Sequence, residues 1–365
     1  MDRIGIGIIG CGNISTTYLK AAKTFPILDI KAVADIDMKA AEARAAEFGL
    51  VAKSVDALLA DPSISIVVNL TIPRAHVEVG MRALAAGKHV HTEKPLGTST
   101  KEAKPMLEEA KKRGLRLGAA PDTFLGGLQQ TCRKLIDEGA IGTPVAGTAF
   151  FMCPGHERWH PNPGFYYLQG GGPMLDMGPY YLTDLVNLLG PISSVSGVAT
   201  RLRSERRVTS EPLNGAHIPV EVATHVTGTL LFANGAAVSI AMSFDAPRHK
   251  HVPIELYGEV GSLIVPDPNH FGGKVEFASA DEDWREIPIT RTYADGNYRI
   301  LGLADLASAI RANRKHRASG ELAFHVLEAM EAFQTSSDSG KAVTISTRPE
   351  RPAPLPATLA VGELD

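Results

Sequence analysis

The chain has 365 residues, 44% of them hydrophobic and 21% charged, which is enough to bury two cores. A net charge of -3 leaves neither a basic stripe nor an acidic tail; nucleic acid and membrane partners are therefore not expected, and small ligands remain. Cys11, Cys132 and Cys153 are odd in number, widely spaced and without a CxxC pair, which argues against a disulfide framework and a structural zinc site.

The N-terminus runs into its first strand without the basic, apolar and small-residue regions of a signal peptide, and no apolar run reaches membrane-spanning length, so a cytoplasmic location is expected. Strands are predicted at 4–9, 28–34, 64–70, 89–92 and 115–119. Helices with charged outer faces fall between them at 40–48, 77–86 and 101–113, and Gly87 and Gly114 sit where C-terminal caps belong. This alternation predicts a parallel sheet. Beyond Pro121 helices are predicted at 128–138 and 180–189, then a strand-rich stretch from 192 to 289 with turns at Asn234-Gly235 and Glu259-Val260, then helices at 301–312 and 321–333. The expected fold is α/β: a dinucleotide-binding Rossmann domain over 1–121, an α+β substrate and oligomerisation domain with a large, mainly antiparallel sheet over 122–345, and an extended or poorly ordered tail over 346–365. No internal repeat is visible.

Gly10-Cys11-Gly12-Asn13-Ile14-Ser15 follows the first strand and opens a helix. Glycines there permit a tight turn and close approach to a pyrophosphate, whose charge meets the unpaired N–H groups at the helix start, around Asn13 and Ile14. Ser15 stands where the third glycine of the motif is expected. Asp35 ends the second strand, where a carboxylate accepts the ribose hydroxyls and repels a 2'-phosphate; no arginine follows directly, so NAD is favoured over NADP. The alternative role for Asp35 is to cap the helix near Met38, a job for which Asp37 is better placed.

Asn69-Leu70-Thr71-Ile72-Pro73-Arg74-Ala75-His76, then Ala86-Gly87-Lys88-His89-Val90-His91-Thr92-Glu93-Lys94-Pro95-Leu96, then Gly170-Gly171-Gly172 with Asp176, resemble the Gfo/Idh/MocA family of sugar and inositol dehydrogenases. The resemblance spans nearly the whole chain. It implies an NAD(P)-dependent oxidoreductase that moves hydride between nicotinamide and a secondary hydroxyl or carbonyl carbon of a sugar, cyclic polyol or sugar derivative. It also implies that Thr71, Pro73, His76, Glu93 and Lys94 border the cofactor, that Lys94 addresses the substrate hydroxyl, that Lys94-Pro95 is cis, and that the protein forms a homodimer or homotetramer.

Similar dehydrogenases place a histidine four residues after the aspartate. Tyr180 stands there in this chain, as in the branch typified by glucose-fructose oxidoreductase and dimeric dihydrodiol dehydrogenase, where a tyrosine takes the proton-transfer role. A free phenol has a pKa of about 10, so its phenolate at pH 7 costs roughly 4 kcal/mol. A lysine ammonium about 4 Å away at an effective dielectric of 20 supplies a similar amount before desolvation. Lys94, Tyr180 and Asp176 are therefore the catalytic candidates. Asp176 shares a face with Tyr180 only if the helix continues through Gly178-Pro179; otherwise it caps a helix starting at Pro179. The segment 155–167 is rich in aromatic and hydrogen-bonding groups suited to a sugar ring. Trp159, His160 and Asp122 join Lys94, Asp176 and Tyr180 as substrate contacts, with Arg299 a weaker one. His156 and His160 lack the carboxylate partners of a metal site, and no metal is expected. A sugar–sugar oxidoreductase with tightly held nucleotide and a non-catalytic sensor are the competing readings.

Overall fold

The computed structural model describes residues 3–365. In chain order, β1 (Ile4–Ile9), α1 (Asn13–Ala22), β2 (Leu28–Ala34), α2 (Met38–Phe48), β3 (Val51–Lys53), α3 (Val55–Leu59), β4 (Ile66–Asn69), α4 (His76–Ala85), β5 (His89–Thr92), α5 (Thr100–Arg113) and β6 (Leu117–Ala119) form the first layer system. Its six strands are all parallel in the order β3-β2-β1-β4-β5-β6. Strands β1 and β4 are buried along their whole length, which is why they read as unbroken apolar runs rather than alternating ones. Asp37, Ser54 and Ser99 cap the helices that follow them, and left-handed Gly49 and Gly114 close α2 and α5. The order reverses between β1 and β4, and open sheets of this kind take ligands beyond the carboxyl ends of the strands at that reversal.

The chain continues through α6 (Gly127–Asp137), β7 (Pro144–Met152), α7 (Pro173–Leu189), β8 (Ile192–Thr200), β9 (Glu205–Arg207), β10 (His217–Pro219), β11 (His225–Phe232), β12 (Ala237–Ser243), β13 (Ile254–Gly258), β14 (Gly261–Val265), β15 (Glu276–Ser279), β16 (Arg285–Glu286), α8 (Leu301–Arg311), α9 (Gly320–Ser339) and β17 (Val343–Thr344). Nine strands make a sheet ordered β16-β15-β14-β13-β7-β12-β11-β8-β17, with β12 and β7 its parallel pair and the other pairs antiparallel. The hairpins at Asn234-Gly235 and Glu259-Val260 lie where they are expected. Strand β7 is not foreseen from the sequence, because proline, glycine and alanine lower its strand propensity.

Helix α7 runs without a break from Pro173, so the expected start at 180 moves back by two turns and Pro179 lies inside the helix. Asp176 and Tyr180, four residues apart, therefore share a face.

The compact units differ from the boundaries expected at 121 and 345. One comprises the residues through Gln130 with Thr290–Phe324 and Pro352–Asp365; the other comprises Thr131–Ile289 and His325–Arg351. Backbone pairing is the reason. Ala119 N–H donates to Ala318 O at 3.1 Å, and Gly118 bridges Ser319, so the late segment joins the first core. The tail beyond β17 has no helix or strand, as expected, yet it is held: buried Arg317 donates to the carbonyls of Ala353 (3.0 Å) and Pro354 (3.1 Å) and pairs with Asp365 at 2.8 Å. Among the described residues no helix is long and apolar enough to cross a membrane.

Candidate active site

The turn between β1 and α1 is built for close approach. Gly10 has φ 104°, and a Cβ there would lie 2.5 Å from the carbonyl carbon and oxygen of Leu70, so only glycine fits. A Cβ on Gly12 would meet nothing within 4 Å. Helix α1 begins with no side-chain cap and no acidic residue in its first turn, which suits an anionic group at the N–H donors around Asn13 and Ile14. The residues therefore fit a dinucleotide's diphosphate. Ser15 is fully buried and donates its hydroxyl to Gly12 O at 2.6 Å, pinning the turn in place of a third glycine.

Asp35 accepts from Cys11 N–H at 2.7 Å and from Asp37 N–H at 3.0 Å. Asp37, not Asp35, caps α2 by accepting from Lys39 N–H at 3.0 Å. Each Asp35 oxygen retains a second lone-pair direction for a ribose hydroxyl. Sequence reasoning looked for an arginine directly after β2 and missed Arg44, whose Nη2 reaches Cys11 O (3.3 Å) and Gly12 O (3.4 Å) from α2. Only the helical period, which returns Arg44 to the side of α2 facing the turn, could have signalled it.

Beyond β5, Glu93 is buried and accepts from Tyr18 Oη at 2.8 Å and from Lys94 N–H at 2.8 Å, and the Lys94-Pro95 bond is cis, as expected. His76 is fully buried with one ring nitrogen 2.7 Å from Pro95 O and the other 3.0 Å from Thr71 O. Burial pushes its imidazole below the ordinary range, while the two carbonyls pull it up. Thr71 donates its hydroxyl to Asn69 Oδ1 at 2.6 Å, and Pro73 opens a short 3-10 turn. Thr71, Pro73, His76 and Glu93 thus tie the loops after β4 and β5 into one frame that carries Lys94.

Asp122, expected as a substrate contact, sits at the start of α8. It is buried, and its Oδ2 accepts from Ile300 N–H and Gly302 N–H, each at 2.9 Å, capping the start of α8. Burial lifts its carboxyl to about 6, against the pull of those two donors and of Arg299.

In the second unit, Asp176 on α7, four residues before Tyr180, meets His156, which the sequence placed in the sugar-ring segment 155–167 and weighed as a metal ligand. His156 Nε2 lies 3.0 Å from Asp176 Oδ2, and Trp159 Nε1–H donates to His156 Nδ1 at 3.1 Å. Tyr166, Phe165 and His160 pack around them: the rings of His156 and Tyr166 are 4.3 Å apart, and those of Phe165 and Tyr166 4.0 Å. Trp159 is 62% exposed and Phe165 50%, an apolar surface left open beside polar groups. His160 Nδ1 accepts from Asn162 N–H at 3.0 Å, and burial pushes its imidazole below the ordinary range. Beneath lies a buried network: Tyr167 donates to Glu157, Glu157 pairs with Arg206 at 2.9 Å, and Arg206 also pairs with Asp245. No motif spacing announces these contacts, since they join separate loops and strands.

The comparisons with known proteins agree with this layout. Residues 4–120 match the model described as the oxidoreductase family, NAD-binding Rossmann fold, and residues 129–264 match the GFO/IDH/MocA C-terminal domain. Levoglucosan dehydrogenase of Pseudarthrobacter phenanthrenivorans is 25% identical over 335 residues, 83% of this chain and 85% of that protein. Trans-1,2-dihydrobenzene-1,2-diol dehydrogenase of Macaca fascicularis is 30% identical over 188 residues, 50% of this chain and 55% of that protein. A solved structure of levoglucosan dehydrogenase with NADH and L-sorbose has a TM-score of 0.84 at 22% identity, covering 95% of this chain and 100% of that one, a likeness of fold. With both of the family's domains matched along its length, the chain belongs to the Gfo/Idh/MocA oxidoreductases and is an NAD-binding enzyme.

Proposed function

We propose that this enzyme interconverts a secondary alcohol and its ketone on a sugar, cyclic polyol or sugar derivative, with NAD as the hydride partner. The observation that carries the substrate class is the second unit's arrangement: Asp176 and Tyr180 on one face of α7, bordered by the exposed rings of Trp159 and Phe165 and by His160. Flat apolar faces beside hydrogen-bonding arms suit a ring that carries several hydroxyls. The relatives named for levoglucosan and a dihydrobenzene diol support the same class.

The nicotinamide supplies or takes up the hydride when the cofactor is bound. Gly10, Gly12, Asn13 and Ile14 hold its diphosphate end, and Asp35 accepts the ribose hydroxyls in preference to a 2'-phosphate. In this reading Lys94 and Tyr180 serve the proton side of the reaction. The phenol gives its proton to the forming alkoxide during reduction, its phenolate takes the alcohol's proton during oxidation, and the ammonium stabilises the charged oxygen in either direction. Asp176 and His160 orient the ring hydroxyls, and Asp122 supports α8 rather than touching substrate. The assembly proposed is a homodimer or homotetramer, read by light scattering.

A panel of cyclic polyols and sugars, followed through nicotinamide absorbance with NAD and NADP, tests the proposal. Lys94→Ala and Tyr180→Phe are expected to lose about a hundredfold or more in kcat while NAD affinity stays within about twofold. Retained turnover in both variants overturns the assignment.

A further inference from the structure

We propose that His156 is a positioning residue for Asp176, locked as the neutral Nε2–H tautomer by the indole of Trp159. An indole N–H only donates, so the His156 Nδ1 that lies 3.1 Å from it carries a lone pair. The ring proton then sits on Nε2, 3.0 Å from Asp176 Oδ2, and is donated to that carboxylate. While the indole bond stands, His156 has no site left to take up a proton. It orients Asp176 and does not act as a base.

The surroundings hold this arrangement rigidly. His156 N–H donates to Tyr167 Oη at 3.0 Å, and the ring packs against Tyr166 (4.3 Å between centroids), Phe244 (4.5 Å) and Trp159 (5.3 Å). Gly155, with φ 106°, leaves the Glu157 carboxylate and Arg206 room directly beneath the turn, where a Cβ would collide with both. The titratable groups around the ring are Asp176 from α7, His160 and Glu157 from its own segment, Tyr166 and Tyr167, Cys153 after β7, and Arg206 from β9. Of these, Asp176 is the acceptor that the Nε2–H addresses, and His160 is occupied by Asn162 N–H.

A two-bond relay therefore runs from an exposed indole to a carboxylate of the proposed catalytic face. A ring stacked on Trp159 fixes the indole, the indole fixes the imidazole, and the imidazole fixes Asp176. This role in turnover rests on the dehydrogenase reading, whereas the tautomer does not.

Nitrogen NMR on the full-length protein labelled at histidine decides the tautomer, with the His156 signal assigned by its loss in His156→Gln. The expected wild-type signal at neutral pH has a pyridine-like Nδ1 and a pyrrole-like Nε2. In Trp159→Phe the Nδ1 signal is expected to move as the indole bond is lost, and kcat to fall with it. His156→Gln, whose amide reaches the Nε2 position, retains kcat within about threefold; His156→Ala loses about tenfold or more, the scale of one hydrogen bond to a charged group. A protonated Nδ1 in the wild type at neutral pH overturns the proposal, as does a Trp159→Phe ring whose Nδ1 signal stays where it was. If no alcohol is turned over at all, the dehydrogenase reading falls and the NMR result stands by itself.

Discussion

Replacing Asp184 by Asn changes how stability depends on pH. Asp184 lies on α7, one helical repeat beyond Tyr180, and is fully buried; Oδ1 accepts from Asn187 Nδ2 at 3.2 Å, while Oδ2 takes no partner among the described residues. Burial raises its carboxyl from 3.8 to about 7. The folded state therefore binds a proton over a pH window in which the unfolded chain does not, and its stability relative to a non-titrating residue grows as pH falls from 8 towards 4 and shrinks as pH rises through 7. From pH 8 to pH 5 that difference amounts to about 2–3 kcal/mol. His91 works in the opposite sense. It is fully buried with neither ring nitrogen partnered among the described residues, and burial holds it down at about 3, so its contribution is lost as pH falls below about 6.5, by about 2 kcal/mol at pH 5. In the wild type the two effects oppose each other; in Asp184→Asn the histidine's loss is no longer offset. Urea unfolding at pH 5, 6, 7 and 8 is expected to show the variant losing about 2–3 kcal/mol against the wild type between the alkaline and acid ends. A wild-type-minus-variant difference that does not move with pH refutes the argument that this carboxyl is protonated in the folded protein.

Gly10→Ala forces a Cβ against the Leu70 carbonyl and is expected to weaken NAD binding by tenfold or more in calorimetry, with ordinary NAD affinity counting against the turn as the diphosphate site. Asp35→Ser removes the repulsive carboxylate while leaving Arg44 near the turn, so the NADP-to-NAD affinity ratio is expected to rise at least about tenfold, and an unchanged ratio removes Asp35 from discrimination. Arg317→Ala removes one of the two guanidinium partners of fully buried Asp305 and of Asp365, each of which keeps Arg314, and is expected to cost about 1.5–3 kcal/mol and to appear as a lowered Tm.

The sequence made five of the first sheet's six strands readable, all but β3, because their signals are local. Ser99 and Gly114 bracket α5, Gly49 closes α2, and the apolar run through Ile66, Val67 and Val68 marks a strand covered on both faces. The glycine turn, Asp35 and the Glu93-Lys94-Pro95 segment were readable for the same reason: each is a short motif tied to one strand end. What escaped depends on distant partners. Strand β7 is held between β12 and β13 despite its composition, where Gly147 is needed because a Cβ would lie 2.7 Å from Glu255 O. The sequence marks α8 as a helix but cannot say which core it joins, and the bonds from Ile300 and Gly302 to Asp122 decide that. The contacts of Arg44 with the glycine turn and of His156 with Asp176 are likewise created by folding, with no fixed spacing to announce them.

The way the first unit gathers three separate stretches of chain bears on how it is made. Its parallel sheet is complete by Ala119, but helix α8 and the segment around Arg317 arrive only after the nine-stranded sheet's β7–β16 have been synthesised. A nascent chain must therefore keep the nucleotide-binding layers partly uncovered while the intervening strands emerge, the kind of long-range closure that slows folding and exposes apolar surface to aggregation. Chaperone demand during synthesis should accordingly track the delay between residues 130 and 290 rather than the intrinsic stability of the sheet that was finished first.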